Sequence, residues 1–401
     1  MHLEKRGLLI AALALLVAGG PAWAQKKYDI GATDKEIKIG GISPYSGPVS
    51  AFGVAGKAIA AYFDKINAEG GVNGRKLNFV SLDDGYNPAK TVEQARRLVE
   101  EDEVLFVVNP VGAASNSAIH KYMNARKVPQ LFLATGGAKW GDPKNFPWTM
   151  GWQPNFQSEG KIYAAHLLEN TPNGKIAILY QNDDFGKDYL KGFEDGLGAK
   201  AASMIVAKIS YESTDPTVDS QMVSLKSSGA NVFFNASTPK FAAQAIKKAA
   251  ELGWKPMHYL VSASNAVGSV MVPAGVENGI GIVTAGYLKD PTDPQFQKGR
   301  EWDDFVAWMQ KYHPKGDMKD GLNVYGYTVA QTVVHVLQKA GDELTRANIM
   351  KQAANMDLTL PMLLPGVNIK TTPSDFYPIE REQLMRFNGT NWQLFGKVYG
   401  A

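Results

Sequence analysis

The sequence predicts an α/β protein made of two doubly wound, parallel-sheet lobes. Three observations carry that expectation. The chain has 401 residues, more than one hydrophobic core ordinarily supports. Short β-rich runs alternate with amphipathic helical segments, with little chain between them. The same alternation begins again after Pro154.

In the first half, Glu36–Ile42 reads as a strand, followed by the loop Ser43–Pro48. A helix is expected from about Ser50 to Ala68, with Val54, Ala58, Ala61, Tyr62 and Ile66 on its buried face, and Gly70-Gly71 ends it. Leu77–Leu82 is the next strand, closed by Asp83-Asp84-Gly85. Asn87 caps a helix whose first residue is Pro88 and whose stripe is Val92, Ala95, Leu98 and Val99. Val104–Val108 and Val128–Leu133 are strands around a helix over Asn116–Arg126. They are apolar on both faces, as strands of a parallel sheet covered on both sides must be.

In the second half the strands are Lys175–Tyr180, Met204–Ile209, Asn231–Asn235, Tyr259–Ser262 and Gly279–Ala285. Helices follow Asn182–Gly186, Asp215-Pro216 and Thr238-Pro239, the last two closed by Gly229 and Gly253. No sequence repeat relates the halves. In open sheets of this kind a ligand sits beyond the carboxyl ends of the strands, so the strand-to-helix loops are where function is expected.

Composition narrows the functional classes. With 45% hydrophobic and 20% charged residues the chain is ordinary globular protein, and a net charge of +3 favours neither nucleic acid nor an anionic membrane surface. It has no Cys, which removes disulfides and thiolate metal sites. At the N-terminus, Lys5 and Arg6 precede the apolar run Leu8–Val17, Gly19–Pro21 break it, and Ala22 and Ala24 flank Trp23. The run is too short to span a bilayer, so residues 1–24 are expected to be a cleaved signal peptide. Mature protein would start near Gln25 and be released into the periplasm, since no Cys follows to carry a lipid.

No catalytic constellation emerges. The six His are scattered without zinc-ligand spacing, and no G-x-S-x-G is present. Gly53–Lys57 ends like a phosphate loop, but Ala58 stands where Ser or Thr is needed. Gly196–Ala201 matches a loose dinucleotide pattern but follows a helix, where it reads as a helix end. The pairs Asp83-Asp84 and Asp183-Asp184 read as loop caps rather than as acid/base dyads. The expectation is a binding protein with no catalytic residues, no metal and no cofactor.

Several segments are more specific. Ser46-Gly47-Pro48, the run Ile66-Asn67-Ala68-Glu69-Gly70-Gly71-Val72-Asn73-Gly74-Arg75-Lys76-Leu77, then Asp83-Asp84, Pro88, Asp184-Phe185-Gly186 and Gly326-Tyr327 occur in this order. Together they resemble the branched-chain amino acid receptor family, the leucine/isoleucine/valine-binding type I periplasmic proteins of ABC transporters. The resemblance covers essentially the whole chain after residue 24. It implies a Venus-flytrap fold with a three-segment hinge near Gly151–Gln153, Ala285–Tyr287 and Pro365–Asn368. The lobes would then be 25–152 with 286–365, and 153–285 with 366–401.

The resemblance also implies a cleft lined by Tyr45, Phe52, Asn109, Gly112, Ala113, Ala134, Thr135 and Gly136 from the first lobe. From the second come Phe185, Ser237 and Ala263, while Trp152 and Tyr325 could add aromatic walls. Family members hold a ligand carboxylate on first-lobe backbone and hydroxyl groups, at positions matched here by Gly112, Ala113, Thr135 and Gly136. They hold the ammonium with a second-lobe acid, where this sequence has Ala263, and Ser237 stands where a Tyr is often found. A buried ammonium without a carboxylate is costly. The expected ligand is therefore a small organic acid, an aromatic carboxylate among them, delivered to inner-membrane ABC permease subunits. A shift of the alignment by one or two residues would bring Glu251, Asp183 or Asp184 into the ammonium role. A branched-chain amino acid or an amide- or urea-like solute is the alternative. A sensor module or an exported enzyme are the readings from other classes, and a sensor would need an output domain that the residues after Trp392 do not supply.

Overall fold

The computed structural model describes residues 26–400. The expected signal peptide, residues 1–24, lies outside them. Among the described residues no helix is long and apolar enough to cross a membrane.

The first sheet has five parallel strands in the spatial order Lys76–Asp83, Glu36–Ser43, Phe106–Val108, Gln130–Leu133 and Thr149–Gly151. The second contains five parallel strands in the same relative order: Ile205–Tyr211, Ile176–Gln181, Val232–Ala236, Met257–Leu260 and Val283–Gly286. In each, chain order reverses between the first and third strands of its half. That switch point is where a crevice opens at the strand ends.

Local chemistry explains why these residues fold this way. Asn87 accepts the backbone N–H of Ala89 (2.9 Å) in front of Pro88, which starts the helix Pro88–Glu100. Gly71 takes φ +81°, and a Cβ there would lie 2.0 Å from the carbonyl oxygen of Arg75, so only glycine closes this turn. The helix Gly53–Ala68 buries Ala55, Ala58, Ile59, Ala61, Tyr62 and Phe63. The buried surface is broader than the single stripe expected, and Val54 and Ile66 stay half-buried. The helix is packed between the first sheet and a second long helix, Gly321–Ala340.

Two features depart from the sequence expectation. Glu382–Phe387 and Trp392–Tyr399 form an antiparallel hairpin that extends the second sheet beside Val283–Gly286. The third crossing between lobes also comes later than the expected boundary at 365–366. Val367, Ile369, Phe376 and Ile379 are buried in the core of the first lobe, and the chain joins the second sheet only at Glu382. Pro365-Gly366 is a turn within the first lobe, after which Ile369–Lys370 pairs with Asp357–Leu358. The other two crossings run from Trp152, in the first core, to Phe156, in the second, and back between Ala285 and Tyr287.

Candidate ligand cleft

Between the lobes lies a cleft of about 1000 Å³, counting the space open to solvent, walled by the loops at both switch points and by the second crossing. Phe52, at the start of the helix Gly53–Ala68, closes one side. After the strand Phe106–Val108 the chain turns through Gly112 at φ +97° into the helix Ala113–Ala125. A Cβ on Gly112 would stand 2.5 Å from the ring of Tyr86, so the glycine lets Tyr86 and the backbone share this wall. Ala113 opens its helix, so its N–H has no helical carbonyl to pair with. Ala134 and Thr135 follow the next strand, and the Thr135 hydroxyl is buried without a partner.

On the other wall Phe185 lies in the first turn of the helix Asp184–Leu197, capped by the Asp183 carboxylate, which accepts the N–H groups of Phe185 (3.0 Å) and Gly186 (3.3 Å). Ser262 and Ala263 belong to a short 3₁₀ turn facing the cleft. The Ser262 N–H and hydroxyl both donate to Glu159, each at 2.7 Å. Tyr325, from the helix Gly321–Ala340, also reaches the cleft, and its buried hydroxyl has no partner.

Five of the expected residues are not in the lining. The Tyr45 hydroxyl is bonded to Ser81 (2.5 Å) and its ring packs on Gly53 and Gly56. Trp152 is fully buried behind Tyr287 and Tyr325, meeting both edge-on, and its indole N–H donates to Thr332 (3.1 Å). Gly136 faces the first crossing: a Cβ there would lie 2.1 Å from the carbonyl of Pro154. Ser237 is covered by the turn Ser262–Ser264, whose Ser264 hydroxyl donates to the Ser237 carbonyl (2.5 Å). Asn109 is buried at φ +56° outside the lining, and its side-chain amide has no hydrogen-bond partner. Spacing along a loop shows that it reaches the cleft, not which of its residues faces in.

Among the lining residues that sequence reasoning missed are four aromatics, Tyr86, Phe156, Tyr287 and Trp392. It also missed Gln153 and the pair Lys289-Asp290, which follows the second crossing. Lys289 is committed elsewhere, to Glu301 (2.6 Å) and the carbonyl of Pro361 (2.6 Å). Asp290 accepts from the N–H (2.9 Å) and hydroxyl (2.7 Å) of Thr292 and from the N–H of Trp392 (3.0 Å). No cation pairs with it among the described residues, and burial pushes its pKa up. The acids that sequence reasoning considered for an ammonium are occupied. Asp183 is a helix cap bonded to Gln181, Glu251 meets Lys248, and Asp184 is held by Lys139 and Ser117 (both 2.8 Å).

The periplasmic binding protein family matches residues 36–389, and the chain belongs to it. Its two lobes have the type I fold of that family. A Leu/Ile/Val-binding protein homologue of Brucella suis is 25% identical over 350 residues, 84% of this chain and 83% of that protein. Among solved structures, a branched-chain amino acid ABC transporter protein of Thermus thermophilus with bound valine has a TM-score of 0.81 at 17% identity. That match covers 92% of this chain and 97% of that one. A fatty acid ABC transporter substrate-binding protein of Thermomonospora curvata has a TM-score of 0.78 at 20% identity, covering 94% and 95%. At these identities the structural matches speak for the fold.

Proposed function

We propose that this protein is the periplasmic receptor of an ABC importer and that its ligand is an α-amino acid with an apolar side chain, of the branched-chain kind. The observation that carries this reading is the pairing of unlike groups in one cleft. The partnerless Thr135 hydroxyl and the open N–H at Ala113 suit a carboxylate. Asp290, with no cation of its own, suits an ammonium. The aromatic surround of Phe52, Tyr86, Phe185 and Trp392 suits the apolar body. The acid missing at Ala263 is thus supplied from the second crossing, which removes the reason to prefer a simple organic acid. The names borne by the Brucella and Thermus relatives point to the same ligand class.

In this reading, closure of the lobes over the amino acid creates the shape that the permease subunits recognise, and the ligand leaves chemically unchanged. Titration calorimetry on ligand-stripped protein with leucine, 2-oxo-4-methylpentanoate and benzoate is the test. Leucine binds at least about a hundredfold more tightly than either acid, because the oxo acid leaves Asp290 without its cation. Tighter binding of the oxo acid or benzoate would return the reading to an organic acid receptor.

A further inference from the structure

Behind the Ser262 turn lies a buried carboxylate that does not itself line the cleft. Glu159, on the helix Phe156–Asn170, is 1% exposed and collects four donors. Its Oε1 accepts from the Tyr163 hydroxyl (2.6 Å) and the Ser262 N–H (2.7 Å). Its Oε2 accepts from the Ser262 hydroxyl (2.7 Å) and the Tyr189 hydroxyl (2.8 Å). The oxygen of Tyr163 accepts the N–H of Ala285 (2.9 Å), directly before the second crossing. Tyr189 lies one turn beyond Phe185 on the same helix, and its ring meets that of Phe185 at 5.3 Å. One carboxylate thus holds a cleft turn, the root of a hinge segment and the helix carrying a cleft aromatic.

A second buried acid stands nearby. Glu382 opens the strand after the third crossing, is 1% exposed, and its Oε1 has no partner. Two buried carboxylates without a cation do not both ionise. Burial pushes the pKa of both acids up; at Glu159 four donors oppose the rise and favour the charged form, while Glu382 has no such donors at Oε1 and burial with the charge of Glu159 pushes it far up.

We propose that Glu159 is a positioning residue of the cleft, ionised while Glu382 keeps its proton, and that it holds the Ser262–Ser264 turn in ligand-ready shape and in register with the hinge at Ala285. The proposal rests on the cleft being the ligand site. It does not depend on which ligand binds, so one arm of its test uses no ligand.

That arm is amide hydrogen exchange at 262–264 in ligand-free protein, and the other is leucine calorimetry. In Glu159→Leu the Ser262 N–H loses its acceptor, exchange at the turn speeds up by about a hundredfold, and leucine affinity drops by a similar factor. Glu159→Gln keeps two acceptor bonds and restores both readouts to within about tenfold of the wild type. Glu382→Gln, which mimics the protonated acid, leaves both unchanged. Native exchange and affinity in a folded Glu159→Leu protein would overturn the proposal. So would a loss in Glu382→Gln as large as that in Glu159→Leu, since Glu382 would then be the ionised member. If Glu159→Leu fails to fold, Ser262→Ala serves: it removes one bond to Oε2 and should raise exchange at 263–264 about fivefold, and unchanged exchange would again overturn the proposal. Should wild-type protein ignore leucine, the ligand assignment fails while the exchange arm still decides the role of Glu159.

Discussion

The walls contributed by the two lobes rest on the same strand order, yet they differ in what they leave unpaired. On the first-lobe side, Thr135 and Tyr325 present buried hydroxyls without partners, and the helix beginning at Ala113 presents open N–H groups. On the second-lobe side the polar groups that line the cleft are paired: Ser262 gives both its donors to Glu159, Asn265 donates to the Ala285 carbonyl, and the Trp392 indole donates to the Asn265 carbonyl, while the partnerless Ser237 hydroxyl lies outside the lining. Unpaired polar groups buried in a protein cost free energy until a partner arrives. In the proposed reading the first wall is completed by the ligand, whereas the polar groups lining the second are paired before it arrives. The exception is Asp290, beside the second crossing, which lies where the two walls meet.

The largest expected effect breaks the balance at Asp290. Asp290→Asn keeps the side-chain shape but only one acceptor oxygen, so one of the two N–H groups it holds, of Thr292 or of Trp392, loses its acceptor, and a ligand ammonium is left unpaired. Loss of one partner of a buried charge pair costs about 3–5 kcal/mol, so leucine affinity should drop by roughly a hundredfold to a few thousandfold. The oxo acid, having no ammonium, should bind the variant no worse than the wild type. Equal losses for both ligands, measured by calorimetry, would remove Asp290 from the ammonium role.

A pH titration sharpens the same point without a mutation. Burial raises the Asp290 pKa above its ordinary value in the free cleft. The ammonium needs the ionised carboxylate, so leucine binding is at full strength above that raised pKa. It weakens as pH falls through it, approaching tenfold per pH unit at the limit. Asp290→Asn should flatten the profile over this window. An identical slope in the variant would place the titrating group elsewhere.

On the first wall a smaller, less selective effect is expected. Thr135→Val removes a hydroxyl from a carboxylate site while keeping the side-chain shape. A hydrogen bond to a charged group contributes about 1.5–3 kcal/mol, which corresponds to a loss of roughly 10- to 150-fold. Because the carboxylate is common to leucine and its oxo acid, both should weaken by the same factor. A loss confined to leucine would show Thr135 facing the ammonium end.

How much of this was legible in the sequence depends on whether a feature is local. Periodicity and caps are local, so the strand-and-helix alternation, the Asn87 cap and the loops that reach the cleft could be read directly. The closing hairpin Glu382–Tyr399 was not, because an edge strand such as Trp392–Tyr399 is mostly exposed and lacks the continuous apolar run of a buried parallel strand. Trp152, Tyr45 and Ser237 were expected in the cleft and lie behind it, because which way a side chain turns is settled by packing against distant partners such as Thr332, Ser81 and Ser264. Asp290 was missed for the same reason. Its place in the cleft depends on contact with Trp392, a hundred residues on, and nothing in the neighbouring sequence marks it.

The smallest expected effect concerns contact between the walls away from the ligand. Lys139 and Ser117 of the first lobe both hold the Asp184 carboxylate of the second, at 2.8 Å. Burial alone would raise the Asp184 pKa, but the Lys139 ammonium and the Ser117 hydroxyl keep it below the ordinary value. A neighbouring bond, from the Ala138 N–H to Asp188 (2.9 Å), involves main chain and would survive changes to this pair. Lys139 and Asp184 are 38% and 48% exposed, so solvent screens them and their attraction is worth about 0.2–1 kcal/mol. Lys139→Met should therefore weaken binding by no more than about fivefold. The loss should be the same for every ligand, because the pair favours the closed arrangement without touching what is enclosed. Raising the salt concentration should shrink the difference between variant and wild type, since an exposed ion pair is screened within a Debye length. A loss that differs between leucine and its oxo acid would bring Asp184 into contact with the ligand, and the second wall would then be less complete than its hydrogen bonds indicate.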